Sequence, residues 1–167
     1  MPDVFTSEEL SNMMNEHYLK NGKWNRTIWG ADAFFTITTD RYTVKITGGS
    51  IVVLDRSSGT ELKRLKGFNY LYTGDVKPDE SEIFALENGK HFYIISLKDF
   101  SQKRFTLPRT YSAVDVYGTY SADGRSLFIP VNRYAGDKYE YCICEYETEN
   151  YSLVKKEPSS LKEINHW

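Results

Sequence analysis

The chain has 167 residues, a formal net charge of −2, and acidic and basic side chains that are interspersed along its length. A chain of this length is expected to form one domain, and its near-neutral charge disfavours nucleic acid and anionic membranes as partners. It has no apolar run long enough to span a membrane and no leader-like N-terminal segment. We therefore predict a single soluble domain, 1–167, located in the cytoplasm.

The N-terminal segment has the pattern of an amphipathic helix. Thr6 and Glu9 form a capping box, in which each side chain accepts a hydrogen bond from the other residue's backbone N–H. Apolar residues then recur at helical spacing, and Asn21-Gly22 supplies a stop signal. The sequence predicts a helix over 7–20 whose apolar stripe packs on the rest of the domain. That stripe consists of Leu10, Met13, Met14, His17 and Tyr18.

From about Thr27 onward the apolar residues recur with a period of two, and Val, Ile, Thr, Tyr and Phe dominate, which is typical of strands. Turn signals such as Asn88-Gly89 and Asp123-Gly124 separate the runs. We predict twelve strands in three units of four, at 27–67, 68–108 and 109–156, followed by a C-terminal segment, 157–167. The predicted strands are 28–37, 42–47, 51–55 and 61–66, then 69–76, 82–87, 91–97 and 102–107, then 112–120, 126–132, 139–146 and 151–156.

An internal repeat of roughly forty residues runs through these units, a spacing typical of propeller blades. Two copies begin at Asp75 and Thr119, and each has an extended run, a turn and a second extended run. The run 51–55, which ends in Asp55 and is followed by Gly59, resembles the inner hairpin of WD-repeat and related bacterial β-propeller blades. The turn 121–124, Ser-Ala-Asp-Gly, resembles the turn between the first two strands of such blades.

This resemblance implies an all-β fold of three four-stranded antiparallel propeller-like blades, a partial propeller, with an N-terminal amphipathic helix. The chain lacks the Trp-Asp dipeptide and the Gly-His pair of true WD repeats, so the resemblance concerns the architecture and not that subfamily. A β-sandwich or a barrel is the alternative arrangement of the same strands.

Closed propellers have about four to eight blades, so three blades leave two end faces to be covered. We expect apolar residues on both faces: Phe35 and Ile37 at one end, and Ile143 with Tyr141 or Cys142 at the other. Two copies could close a ring, or the terminal segments could cover the ends. We therefore expect a protein partner, either a second copy of this chain or a heterologous protein.

Recognisable catalytic and metal-binding motifs are missing from the sequence. It contains no Gly-rich phosphate loop, no nucleophile elbow and no paired Cys/His spacing. The two cysteines, Cys142 and Cys144, are two residues apart on one predicted strand, so both side chains point to the same face. We expect both to be reduced thiols in the core. The sequence therefore predicts a protein that is not an enzyme and that has neither a cofactor nor a metal site.

Candidate binding residues are the tyrosines and arginines of predicted loops, because these loops gather on one rim of a propeller. Tyr and Arg are enriched in the residues that dominate binding energy at interfaces. The candidate partner-binding residues are Tyr70, Arg109, Tyr111, Arg133 and Tyr134.

Three functions are compatible with these observations. The first is a non-catalytic protein-interaction module built on propeller-like repeats. The alternative is an intracellular inhibitor, such as an immunity protein that binds a toxin. The third is an enzyme whose site lies on the propeller rim.

Overall fold

The computed structural model of the chain describes residues 23–28, 33, 35–113 and 118–159. These residues form fourteen strands and no helix. The predicted helix over 7–20 and most of the predicted C-terminal segment lie outside the described residues.

The strands form three antiparallel sheets, which we call blades 1 to 3. Blade 1 has the spatial order β1 (Asn25–Ile28), β2 (Phe35–Thr38), β3 (Tyr42–Ile46), β4 (Ser50–Asp55) and β5 (Glu61–Lys66). Blade 2 consists of β6 (Leu71–Val76), β7 (Glu82–Glu87), β8 (His91–Ser96) and β9 (Gln102–Thr106). Blade 3 consists of β10 (Ser112–Ala113), β11 (Thr119–Tyr120), β12 (Ser126–Ala135), β13 (Lys138–Glu147) and β14 (Leu153–Ser159).

The three meanders are as predicted, but the prediction of four strands in every blade is wrong. The described residues form sheets of five, four and five strands. The predicted first strand, 28–37, is instead two strands, because β1 turns back on β2 with Asn25 opposite Thr38. In blade 3 the predicted strand 112–120 is divided into β10 and β11, which both pair with β12. No sandwich or barrel is formed by these residues.

Two apolar cores lie between consecutive blades, because alternate residues of each strand point to opposite faces of its sheet. Blade 2 is buried on both faces. On one side Ile83 and Ala85 of β7 pack with blade 1, and on the other Phe84 and Leu86 pack with blade 3. The core between blades 2 and 3 also contains the two reduced cysteines and four buried tyrosines: Tyr111, Tyr120, Tyr146 and Tyr151.

The predicted end faces need correction. Phe35 and Ile37 are fully buried against blade 2 and do not lie on an exposed face. Cys142 likewise points into the core between blades 2 and 3. Tyr141 and Ile143 share the opposite side of β13 and are partly buried. The alternating pattern shows which residues share a face, but it does not show which face meets the next blade.

The opposite face of blade 1 is mixed in chemistry. On β2 and β3 it carries partly exposed side chains that alternate with the buried ones: Thr36, Thr38, Thr43 and Lys45. On β4 it carries Val52, which is buried, and Leu54, which is partly buried.

A buried polar cluster joins the innermost strands of the three blades. The Arg26 guanidinium on β1 lies against Asp75 on β6, and Thr119 on β11 donates a hydrogen bond to Asp75 Oδ2 at 3.1 Å. The backbone N–H groups of Val76 and Tyr120 also donate to this carboxylate. Burial raises the pKa of Asp75, while Arg26 and the donated hydrogen bonds act in the opposite direction. The cluster fixes the inner edges of the blades to one another.

Candidate partner-binding surface

The hairpin of β12 and β13 projects beyond its equivalents in the other blades. β7 and β8 have six residues each, whereas β12 and β13 have ten each. The additional pairs run from Asn132 opposite Tyr141 to Ala135 opposite Lys138. At about 3.3 Å per residue, four more pairs extend the hairpin by roughly 13 Å. We call this extension, residues 132–141, the arm.

The arm ends in a two-residue turn, Gly136-Asp137, that reverses the chain. Gly136 has a φ of 70°, a left-handed conformation that glycine adopts without steric cost. The strands on either side remain hydrogen-bonded up to Ala135 and Lys138. The arm is therefore a continuation of the sheet.

One face of the arm carries a row of tyrosines. The ring centroids of Tyr134 and Tyr139 are 5.3 Å apart in an edge-to-face arrangement, and those of Tyr139 and Tyr141 are 6.5 Å apart. Tyr134 is 64% exposed and Tyr139 is 57% exposed. Large aromatic side chains with this exposure are a feature of binding surfaces, because they have much apolar area to bury and few rotatable bonds to order.

The opposite face of the arm carries charged side chains. Arg133 Nε donates to Glu140 Oε2 at 2.7 Å, and each of the two side chains is about 40% exposed. The hydrogen bond from Arg133 and the charge of Glu140 raise the pKa of Arg133. The Arg133 guanidinium also lies 5.2 Å from the centroid of the Tyr111 ring.

Tyr111 is almost fully covered, with 6% of its surface exposed. Its backbone N–H donates to the Pro108 carbonyl, and its hydroxyl accepts a hydrogen bond from the Cys142 thiol at 3.6 Å. This contact raises the pKa of Tyr111. Lys156 Nζ lies 4.4 Å from the ring centroid, and Lys90 Nζ donates to the Tyr111 carbonyl at 3.5 Å.

The structure brings together some of the five predicted site residues. Tyr111 and Arg133 are in contact, and Tyr134 lies on the other face of the same arm. Arg109 is exposed in the turn that leads to Tyr111. Tyr70 is exposed at the junction of blades 1 and 2, where its carbonyl accepts a hydrogen bond from the Asn88 N–H. The prediction that Arg133 and Tyr134 lie in a loop is wrong, because both belong to β12.

Five residues of this surface are missing from the predicted set: Lys90, Tyr139, Glu140, Tyr141 and Lys156. Tyr134 and Tyr139 stand at symmetric distances from Gly136-Asp137, and so do Arg133 and Glu140. This symmetry was the available signal for the arm, since equidistant residues face each other in a hairpin.

Other titratable groups lie in the cores. The Tyr120 and Tyr151 hydroxyls are 2.8 Å apart, and Tyr151 donates to Glu82 Oε1 at 2.9 Å. Burial raises the pKa of both phenols, and it raises the pKa of the Cys144 thiol to about 12. In the described part of the chain, no group of three or more His, Cys, Asp or Glu side chains is placed to hold a metal ion.

The described residues contain no helix that is long and apolar enough to cross a membrane.

The comparisons with known proteins concern the fold. No protein-family model matches the chain, and no curated protein matches it. It resembles the β-propeller domain of Swd1 from Myceliophteria thermophila, with 12% identity, a TM-score of 0.58, and coverage of 72% of this chain and 39% of that one. It also resembles the hydrazine synthase of Kuenenia stuttgartiensis, with 12% identity, a TM-score of 0.55, and coverage of 72% of this chain and 34% of that one. The tricorn protease is similar with 13% identity, a TM-score of 0.57, and coverage of 69% of this chain and 12% of that one.

The chain spans less than half the length of each of these solved chains. At 12 to 13% identity, the similarity between these solved chains and this one concerns the fold alone. The fold is an all-β, propeller-like array of antiparallel blades.

Proposed function

We propose that this propeller-like chain is a non-catalytic protein-interaction module whose protein partner docks on the arm. The observation that carries the proposal is the row of exposed tyrosines, Tyr134 and Tyr139 with Tyr141, on a hairpin that projects beyond the other blades.

The corresponding hairpins of the other blades support this choice of surface. The β3–β4 hairpin turns at Gly48-Gly49, and the β7–β8 hairpin turns at Asn88-Gly89. Neither turn carries an aromatic residue, and neither hairpin has the four additional residue pairs. The added length and the tyrosines occur together, which is expected if the extension presents them to a partner.

The arm is also held in one conformation before binding. Its strands are paired throughout, the Arg133 to Glu140 ion pair joins them on one face, and Tyr134 packs on Tyr139 on the other. A surface that is ordered in advance loses less conformational entropy when a partner binds, so more of the contact energy appears as affinity.

The titratable groups beside the arm support a role other than catalysis. A general acid or base works best with a pKa near the operating pH. The contacts of Arg133 and Tyr111 raise the pKa of both groups, which moves them further from neutrality.

The partner can be identified by photo-crosslinking from the arm. A benzophenone-bearing amino acid is placed at position 134 in cells that naturally produce the chain, and the crosslinked protein is identified by mass spectrometry. Leu62 on the outer strand of blade 1 is 46% exposed and serves as the control position. We expect a protein that is crosslinked from position 134 and not from position 62. A crosslinked second copy of the chain would identify the partner as itself.

The identified protein is then purified and titrated with the wild type and with the Tyr134→Ser/Tyr139→Ser double variant. We expect at least a hundredfold weaker binding by the double variant and less than a threefold change for Leu62→Ser. Equal affinity of the double variant, or equal crosslinking from both positions, would contradict the proposal.

A further inference from the structure

We infer that the basic residues gathered around Tyr111 bind the carboxylates of an acidic, extended segment of the partner. We call Tyr111, Lys90, Arg133 and Lys156 the Tyr111 cluster. The inference rests on the proposed function, because it assigns the chemistry of the partner's segment next to the arm.

Three cationic side chains from three different strands or turns converge on one tyrosine. Lys156 of β14 and Arg133 of β12 approach the ring, at 4.4 Å and 5.2 Å from its centroid. Lys90, from the turn between β7 and β8, reaches the Tyr111 carbonyl from blade 2. The cluster therefore lies where blades 2 and 3 meet and uses residues of both.

The positive charges of the cluster outnumber the carboxylates that contact them within the described residues. Arg133 pairs with Glu140, and this is the one carboxylate within the described residues for which a contact with the cluster is seen. Arg109 adds a further exposed cation two residues before Tyr111. Because the whole chain carries a net charge of −2, this concentration of positive charge is a local feature.

The tyrosine ring favours the observed positions of two of the cations, Arg133 and Lys156. A cation near an aromatic face is attracted by the negative potential of the ring, by about 0.5 to 1 kcal/mol at exposed sites. Tyr111 is itself held by the Cys142 thiol and by its backbone hydrogen bond to Pro108. The charged groups are thus arranged in advance around a buried anchor.

The charged groups can still be reached from solvent. Lys90 and Lys156 are exposed, and Arg133 is about 40% exposed. A carboxylate placed between Arg133 and Lys156 would form charge-assisted hydrogen bonds, which are stronger than neutral ones. Two other exposed lysines lie in a different setting: Lys63 and Lys103 are on the outer strands of their blades, each next to an arginine, where basic residues discourage edge-to-edge pairing.

A protein segment suits this site better than a nucleic acid. A long polyanion would be repelled by the net negative charge of the chain, whereas a short acidic segment covers only the cluster. The tyrosine row on the other face of the arm offers apolar contact to the same partner. An extended segment alternates its side chains, so it could direct carboxylates to the cluster and aromatic side chains to the arm.

The test uses fluorescence anisotropy with three fluorescein-labelled probes and the full chain. The first probe is an eight-residue peptide of alternating glutamate and tyrosine, the second has glutamine in place of glutamate, and the third is an oligothymidylate of eight nucleotides. We expect the glutamate peptide to bind at least tenfold more tightly than the other two. Its affinity should fall as salt is raised, because exposed charges are screened.

The variants Lys156→Gln and Lys90→Gln should each weaken binding of the glutamate peptide at least fivefold and reduce the salt dependence. The matched controls Lys63→Gln and Lys103→Gln remove the same charge from outer strands, and they should change the affinity less than twofold. Equal losses in the controls, equal binding of the glutamine peptide, or no binding of the glutamate peptide at 1 mM would overturn the inference. Tighter binding of the oligothymidylate would assign the cluster to phosphates instead.

Failure of this inference is distinguishable from failure of the proposed function. If the partner crosslinked from position 134 loses affinity for the tyrosine double variant but keeps it for Lys156→Gln and Lys90→Gln, the arm binds the partner and the Tyr111 cluster does not take part.

Discussion

The Arg26 guanidinium Nη1 and the Asp75 carboxylate Oδ2 lie 3.2 Å apart, and less than a twentieth of either side chain is exposed to solvent. Arg26 belongs to the additional strand of blade 1 and Asp75 to the innermost strand of blade 2. Arg26 Nη1 also donates to Thr119 Oγ1 of blade 3 at 3.2 Å. One cation therefore links all three blades at their inner edges.

Replacing Asp75 by asparagine should be strongly destabilising. The amide keeps the shape of the carboxylate but leaves the charge of Arg26 buried without its counter-ion. Breaking a buried ion pair by removing one partner costs about 3 to 5 kcal/mol. We expect Asp75→Asn to lower the free energy of unfolding by this amount in urea denaturation.

The control is the double variant Arg26→Met/Asp75→Asn, in which the uncompensated charge is gone and the asparagine oxygen can still accept from one of the two backbone N–H groups that donate to the carboxylate. It should be more stable than Asp75→Asn alone. A double variant no more stable than Asp75→Asn would mean that the uncompensated charge of Arg26 is not what destabilises the single variant.

A second prediction concerns Gly74 on β6, which lies close to β7 of its own blade and to Ile46 of blade 1. A Cβ atom at this position would lie well inside contact distance of the Phe84 carbonyl oxygen and 2.6 Å from Ile46 Cδ1. Backbone cannot easily give way, so Gly74→Ala should cost about 2 kcal/mol or more. Gly49→Ala is the matched control, since its Cβ would meet nothing closer than the Phe68 carbonyl oxygen at 3.8 Å. Thermal denaturation of both variants is the measurement, and equal melting temperatures would contradict the predicted steric clash.

Much of the repeat could be predicted because its signals are local. In blade 2 the predicted strands agree with β6 to β9 within two residues at each end, since apolar alternation and the Asn88-Gly89 turn mark them directly. The extra strand β1 was missed because β1 and β2 both have strand composition, so the sequence 28–37 was interpreted as one strand despite Gly30 and Asp32. The packing of Phe35 on blade 2 depends on three-dimensional pairing, which alternation alone cannot provide.

The candidate site was harder to predict for the same reason. Tyr111 and Arg133 are 22 residues apart in the chain, and Lys156 is a further 23 residues away. The sequence indicated Tyr and Arg as binding residue types, and the predicted set contained no lysine. Only the register of β13 with β14, which places Lys156 opposite Cys144, brings this lysine to the face occupied by Tyr111.

The third prediction compares two of the four buried tyrosines between blades 2 and 3, Tyr120 and Tyr151. Tyr151→Phe would leave the Tyr120 hydroxyl buried without the partner it has in the wild type, which costs about 1 to 3 kcal/mol. Tyr120→Phe should cost less, about 1 kcal/mol, because Tyr151 keeps its hydrogen bond to Glu82. Urea denaturation of both single variants measures the difference. The reverse order of stabilities would show that Tyr151 depends mainly on Tyr120 and not on Glu82.

The last prediction concerns acid and the turn between β11 and β12. The Ser121 hydroxyl and the Arg125 N–H donate to Asp123 Oδ1 at 2.6 Å and 3.0 Å, and these hydrogen bonds lower the pKa of Asp123. A carboxyl whose pKa is lower in the folded state contributes stability above its unfolded pKa of about 3.9, and this contribution disappears as the pH falls through the folded pKa. Asp123→Asn should therefore melt at a lower temperature than the wild type at pH 7.

The same reasoning gives the result expected in acid. As the pH falls below about 4, the wild-type carboxyl is protonated and the difference in melting temperature between it and Asp123→Asn should shrink toward zero. Ser121→Ala removes the shorter of the two hydrogen bonds. The difference in melting temperature between it and the wild type should also shrink as the pH falls. Because both variants keep every other carboxylate, the acid response of those groups cancels in each comparison. A difference in melting temperature that stays constant from pH 7 to pH 2 would mean that the ionised form of Asp123 does not stabilise this turn.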